Sequence, residues 1–349
     1  MRSRAAHLAQ DVVDAGATTG RSLGRDFAPI LIVAVLLAFL PINYHDSRSM
    51  MTVIITGLLF AAYAIAFNVI FGSTAQLFLC VGALAGIGGF SAAMLSERAG
   101  VPMLVCILIA GVLAGLVGGL LSWVAVSRSL DVIFTGVVTL AFSLSFQSII
   151  LGRRDLTGGE TGMVIDAGSD TVLDGKVGAY YVFLGLVVAY LVLYRVLQRS
   201  HIGWAFRALR DDEVAAELAG VDVTRYRVYA ALIGSAMLGV AGAVFAFHRG
   251  FIGPSTYAFG DVDVRVLVML VFGGIGSLLA PVLGAVVFTI LDEALISLAQ
   301  LRVVLYGIVI VALFLGFRRG VIPTLESVFS RWRNGDDGTA VESGFVTDD

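Results

Sequence analysis

The residues of this chain that could do chemistry are few, and the one long polar, helix-competent segment between its apolar runs is at positions 207–227, RALRDDEVAAELAGVDVTRYR. There Asp211 or Asp212 can cap a helix N-terminus, and Glu213 follows in the first turn, where its charge suits the positive end. Gly220 supplies a left-handed stop after about two turns. Ala215, Ala216 and Ala219 give that short helix a small-residue surface another protein can approach closely. Arg199, Arg207, Arg210, Arg225 and Arg227 bracket it and mark it as cytoplasmic. The chemistry predicted is that of a docking element. Catalysis is not predicted, because the chain has no H-E-x-x-H, no C-x-x-C and no G-x-x-x-x-G-K-[ST]. FGGIGS at 272–277 is glycine-rich but lacks the phosphate-reaching lysine and follows an apolar run instead of a strand. Cys80 and Cys106 lie in apolar stretches and read as packing thiols. His7, His45, His201 and His248 stand in separate segments, so no metal site is expected.

The elements that must hold this segment are set by composition. With 58% hydrophobic residues, 14% charged and a mean hydropathy of +0.93, the chain is expected to be an all-α polytopic membrane protein. Lys176 is the only lysine among 23 basic residues, and the arginines form no single polar patch, so no nucleic-acid partner is expected. Apolar runs occupy 28–42, 50–71, 76–95, 101–126, 130–151, 177–197, 228–247, 262–272, 278–299 and 303–317, which makes about ten transmembrane helices. Lipid cannot satisfy unpaired backbone groups, so each run is a helix or a broken helix buried among others. The positive-inside rule places both termini in the cytoplasm, because the opposite orientation would strand the 207–227 arginines outside. Residues 1–27 are then a cytoplasmic tail, 28–317 the transmembrane domain with its cytoplasmic loop at 198–227, and 318–349 a second tail.

Five spans in each half mean that any internal repeat is inverted. Each half has a glycine-interrupted apolar stretch, 72–89 with Gln76, Gly82 and Gly86, and 273–284 with Gly273, Gly274, Gly276 and Pro281. Such breaks point to discontinuous helices near a solute path. The competing explanation is close helix packing, which suits Gly111, Gly115 and Gly119 best. Asp131 beside Arg128 reads as a helix cap, Asp292 and Glu293 as an interfacial ion pair with Arg302, and Asp261, Asp263 and Arg265 as a solvated cluster or a contact for a docking protein.

Four motifs carry a family resemblance. GWAFRALRDDEVAAELAGVDVTRYR at 203–227, GSAMLGVAGAVFAF at 234–247, GFIGP at 250–254 and FGGIGSLLAPVLGA at 272–285 together resemble the LivM-type permease subunits of branched-chain amino acid ABC transporters. EVAAELAG at 213–220 looks like the loop by which such permeases contact their ATPases, and DLTGG at 155–159 resembles a further family segment. The resemblance covers roughly residues 50–320. It implies a LivH-type second permease, two cytoplasmic ABC ATPases that use ATP, an extracytoplasmic solute-binding protein, and no cofactor bound by this chain. It also implies a multi-pass protein of the cell membrane that works by alternating access. The pattern departs at 74–81, TAQLFLCV, where the family usually reads T-G-Q-x-S-L-G-H, and at Leu144 and Gln147, where it usually has Glu and Arg. Urea, an amide or another small solute is therefore the alternative to a hydrophobic amino acid. A secondary transporter would show midplane carboxylates and need no docking loop.

Overall fold

The structure, a computed structural model, describes residues 23–39, 41, 48–165, 173 and 175–295. The tenth span expected at 303–317, Arg302 and the tail at 318–349 lie outside the described residues, as does most of the N-terminal tail.

Helices α1 (Leu23–Ala38), α2 (Arg48–Phe67), α3 (Val81–Ala99), α4 (Met103–Ser127) and α5 (Val132–Gly152) are followed by a single turn, α6 (Arg154–Thr157). Next come α7 (Lys176–Arg199), two short helices, α8 (His201–Asp211) and α9 (Glu213–Leu218), and then α10 (Val223–Arg249), α11 (Phe259–Gly273) and α12 (Ala280–Leu295). Among the described residues, five helical segments are long and apolar enough to cross a membrane: α2 with its extension to Gly72, α4, α5, α7 and α10. The fold class is thus all-α and membrane-type. The short apolar run at 262–272 becomes α11, of 15 residues, and α12 is described from Ala280 to Leu295 within the run expected at 278–299. At 1.5 Å per residue α11 extends about 22 Å, less than the ~30 Å hydrocarbon core.

Helix α3 lies at the centre. Every residue from Val81 to Gly86 is buried, because glycine and alanine on all its faces admit neighbours all round. It packs with α4 and α10 as a close triplet. A Cβ on Gly88 would strike the Gly239 carbonyl, and one on Gly242 would strike that of Ala85. Gly111 faces Val240, and Gly115 faces Leu232 and Ala236, so the α4 glycines serve packing, as expected.

Two spans differ from the expected bounds. The third does not begin as a helix at 76: residues 75–80 are not helical and α3 starts at Val81. The seventh starts earlier, at Val223, where the Asp222 side chain accepts from the Arg225 amide 2.9 Å away and caps α10.

One end of the bundle gathers the C-terminal end of α2, the 128–131 turn, α8, α9 and the 274–279 turn. The other end joins two long connections through an antiparallel pair, β1 (Met163–Val164) with β2 (Phe251–Ile252), and the Ile165 amide donates to the Gly250 carbonyl at 2.8 Å. Gly158, Gly159 and Gly162 bring the first connection there with left-handed φ of 73, 59 and 69°.

Candidate functional site: the docking segment and the broken stretches behind it

The docking segment is two helices, not one. Ser200 caps α8 by accepting from the Gly203 amide (3.3 Å), and Ala205, Phe206 and Leu209 turn its apolar face inward. Sequence reasoning missed α8, although a Ser N-cap and apolar positions at 202, 205, 206 and 209 were the signal for it. Asp212, and not Asp211, is the cap of α9: its carboxylate accepts from the Ala215 amide at 3.0 Å. Asp211 closes α8. Gly220 ends the segment with φ 88°, as its type requires.

Ala216 corrects the expected contact face. It is buried against the protein, whereas Ala215, Ala219, Val214 and Leu218 are exposed, Leu218 at 85% and Val214 at 67%. A helix this short cannot present three alanines on one side, because residues 215 and 216 point about 100° apart. The free surface is an apolar pair at i and i+4, Val214 and Leu218, flanked by Ala215.

Three links fasten the segment to the bundle. Arg227 on α10 donates to both carboxylate oxygens of Glu213, each at 2.8 Å, a bidentate pair with Arg227 itself nearly buried. Arg207 donates to the carbonyls of Gly203 and Gln198 (3.3 and 3.1 Å) and lies over the Trp204 ring. Arg210 donates to the Ile275 carbonyl at 3.1 Å, in the turn between α11 and α12.

That turn is the second glycine-broken stretch. Gly273 ends α11, and a Cβ on it would strike the Ala280 carbonyl; Gly274 has φ 118° and Gly276 φ 77°. Pro281 sits in the first turn of α12, where its missing N–H costs no helical bond. The turn is held from the other side by Asn68, in the π-helical end of α2 (Asn68–Gly72). Its amide donates to the Ser277 carbonyl (3.0 Å) and its Oδ1 accepts from the Gly276 amide (2.8 Å), while the Tyr194 hydroxyl donates to the Gly276 carbonyl at 3.2 Å. Asn68 was not among the residues expected from sequence.

The first broken stretch runs inward from the same end. Residues 75–80 form no helix and alternate between partly and fully buried positions. Ala75 stands at φ 54°, and Gln76 Oε1 accepts from Ser122 at 3.1 Å. Thr139 on α5 accepts from the Leu79 amide at 2.9 Å, so a side chain replaces a helical carbonyl. The chain then enters α3 beside Asp263, whose carboxylate accepts from the Gly82 amide (3.2 Å) and the Ser143 hydroxyl (3.4 Å). Asp263 is only 1% exposed, which overturns the solvated reading given to it; Asp261 remains exposed and pairs with Arg265. Gly82 and Gly86 face Tyr257, and Phe146 also faces Gly86, so the structure places both in a packed contact. Asp131 caps α5 through the Val132 amide at 2.7 Å.

The sequence comparisons agree with this arrangement. A family model described as "Branched-chain amino acid transport system / permease component" matches residues 49–317. The chain is 26% identical over 320 residues to the high-affinity branched-chain amino acid transport system permease protein LivM of Escherichia coli, covering 84% of this chain and 75% of that one. It is 25% identical to a probable branched-chain amino acid transport permease protein LivH of Methanocaldococcus jannaschii (52% and 60% covered). It is 30% identical to a nucleoside ABC transporter permease protein NupC of Lactococcus lactis (42% and 49% covered). No solved structure matches. A membrane bundle with a clamped polar segment at 207–227, matched through most of its length by one family model, belongs to the branched-chain amino acid transport permease family and is of LivM type.

Proposed function

We propose that this chain is one permease subunit of an ABC importer that moves branched-chain or other hydrophobic amino acids across the cell membrane by ATP-driven alternating access. The docking segment faces the cytoplasm and contacts one of two separate ATPases, which hydrolyse the ATP. A LivH-type permease completes the channel, a solute-binding protein delivers the substrate from outside, and both termini are cytoplasmic. The carrying observation is that Val214 and Leu218 lie exposed on a helix that Glu213–Arg227 ties to the bundle, next to α8, which Arg210–Ile275 ties to it. An apolar contact face on a stiff lever is what force transfer between chains requires.

The route of that force follows the same bonds. Motion of α8 pulls the 274–279 turn through Arg210, and Asn68 passes it to α2 and the non-helical 75–80 segment. A second reading, a permease for urea, an amide or another small solute, is supported by the apolar exchanges at 78, 80 and 81 and by partial likeness to a nucleoside permease.

The test is Val214→Glu with Leu218→Glu, both on exposed positions. The variant is expected to insert and accumulate normally, lose ATPase co-purification at least tenfold, and lose uptake of radiolabelled leucine in proteoliposomes. ATPase retention and uptake at the natural level would remove the docking role. A C-terminal tag labelled from outside intact cells would remove the orientation.

A further inference from the structure

At the end of the bundle opposite the docking segment, α2, α11 and α12 enclose a cavity of about 180 Å³. Its wall is chemically mixed. Phe60, Met269 and Phe288 supply apolar wall, while Arg265, which lies over the Phe60 ring, Asp292 and Glu293 supply charge. Charge on membrane-embedded helices is costly, and by default marks a functional place.

Arg265 stands 3.7 Å from Asp292 and 3.5 Å from Asp261, both longer than the ~2.7–2.9 Å of a tight charge-assisted bond. The guanidinium thus keeps donors for an incoming carboxylate. Glu293 Oε2 is buried and has no hydrogen-bond partner, a state that normally costs stability unless something fills it. The volume lies below the roughly 300–1,000 Å³ of drug-sized sites, on the scale of one small molecule.

A guanidinium, an unpartnered carboxylate oxygen and a hydrocarbon wall around one small cavity match the three parts of an α-amino acid with an apolar side chain. We propose that this cavity is a subsite for such a zwitterion on the side where substrate arrives, with Arg265 taking the carboxylate, Glu293 the ammonium, and Phe60, Met269 and Phe288 the side chain. The inference rests on the amino acid reading given above and adds a place and three recognition groups to it.

The experiment uses the whole transporter in proteoliposomes with a reporter thiol, Thr56→Cys, on the cavity wall. Cys80 and Cys106, this chain's own cysteines, are both buried, so labelling of this chain by a small methanethiosulfonate reads position 56. Leucine is expected to slow labelling. Isoamylamine, which has no carboxylate, and isocaproate, which has no ammonium, should do so at least tenfold less well. Arg265→Gln and Glu293→Gln should each raise the leucine concentration needed tenfold or more, and Arg265→Lys should restore part of the loss. A purely structural ion pair would leave wild-type labelling indifferent to leucine, which overturns the proposal, as does unchanged protection in both Gln variants. Thr52→Cys is a second reporter, and failure of both to react shows the cavity closed and equally overturns it. Lack of leucine uptake by the unmodified transporter would strike the assigned substrate class instead, while the labelling still decides the cavity.

Discussion

The two glycine-broken stretches carry the same sequence signal and fold in opposite ways. Residues 273–284 make a tight turn at the docking end, two positive-φ glycines joining α11 to α12. Residues 72–89 leave the helix at 75–80 and then enter a helix whose first six residues are all buried. The difference lies in who satisfies the backbone. The turn is short, and side chains from three elements, Asn68, Tyr194 and Arg210, reach it. The non-helical run is inside, where only the α5 hydroxyl Thr139, and Asp263 beyond it, can stand in for helical partners. Glycine thus marks where a helix stops, while neighbours that are remote in sequence decide whether the chain then turns back or runs on without helix.

The comparison can be broken most severely at Gly82. A Cβ there would stand 2.6 Å from the Tyr257 carbonyl, a backbone atom that cannot step aside. Gly82→Leu is expected to abolish the folded protein, read as loss of the monodisperse peak on size-exclusion chromatography in detergent. Gly276→Val tests the turn. It meets the movable end of Arg210 and adds a left-handed strain of about 1–2 kcal/mol. The expected outcome is a protein that still inserts but transports several-fold less per ATP hydrolysed, measured in proteoliposomes. If both variants fold equally well, the contrast between a packed interior stretch and an adjustable surface turn fails.

A smaller effect comes from Thr139→Val, which keeps shape but leaves the Leu79 amide without its acceptor. It should lower thermal stability by about 1–3 kcal/mol. An unchanged melting temperature would show that Thr139 does not hold the non-helical run. The smallest effect has the opposite sign. Ala75 adopts a left-handed conformation where the resemblance expects glycine, so Ala75→Gly should stabilise by about 1 kcal/mol and raise the melting temperature. Destabilisation would mean that Ala75 is held by packing stronger than its backbone strain.

Much of the docking segment was legible because its signals are local. A capping aspartate and a glycine stop act within a few residues, and each stands where its type predicts, with Asp212 taking the cap from Asp211. The contact face was misjudged at Ala216, since which side of a six-residue helix meets the bundle depends on α8 and α10 and not on α9 itself. Asp263 was misread for the same reason. Two residues away, Asp261 is exposed, and only the arrival of α3 from 181 positions earlier encloses its neighbour.

By itself the sequence determined that the chain lives in a membrane, where its long helices run, and that a polar capped segment interrupts them, because hydropathy, caps and glycine stops are properties of short windows. Tertiary structure decided that residues 75–80 are not helical, that Asn68 and Arg210 share one turn, and that Arg265 and Glu293 border one cavity. The physical reason is that buried polar groups take their partners from wherever the fold brings them, and for Asn68 that partner lies more than two hundred residues away.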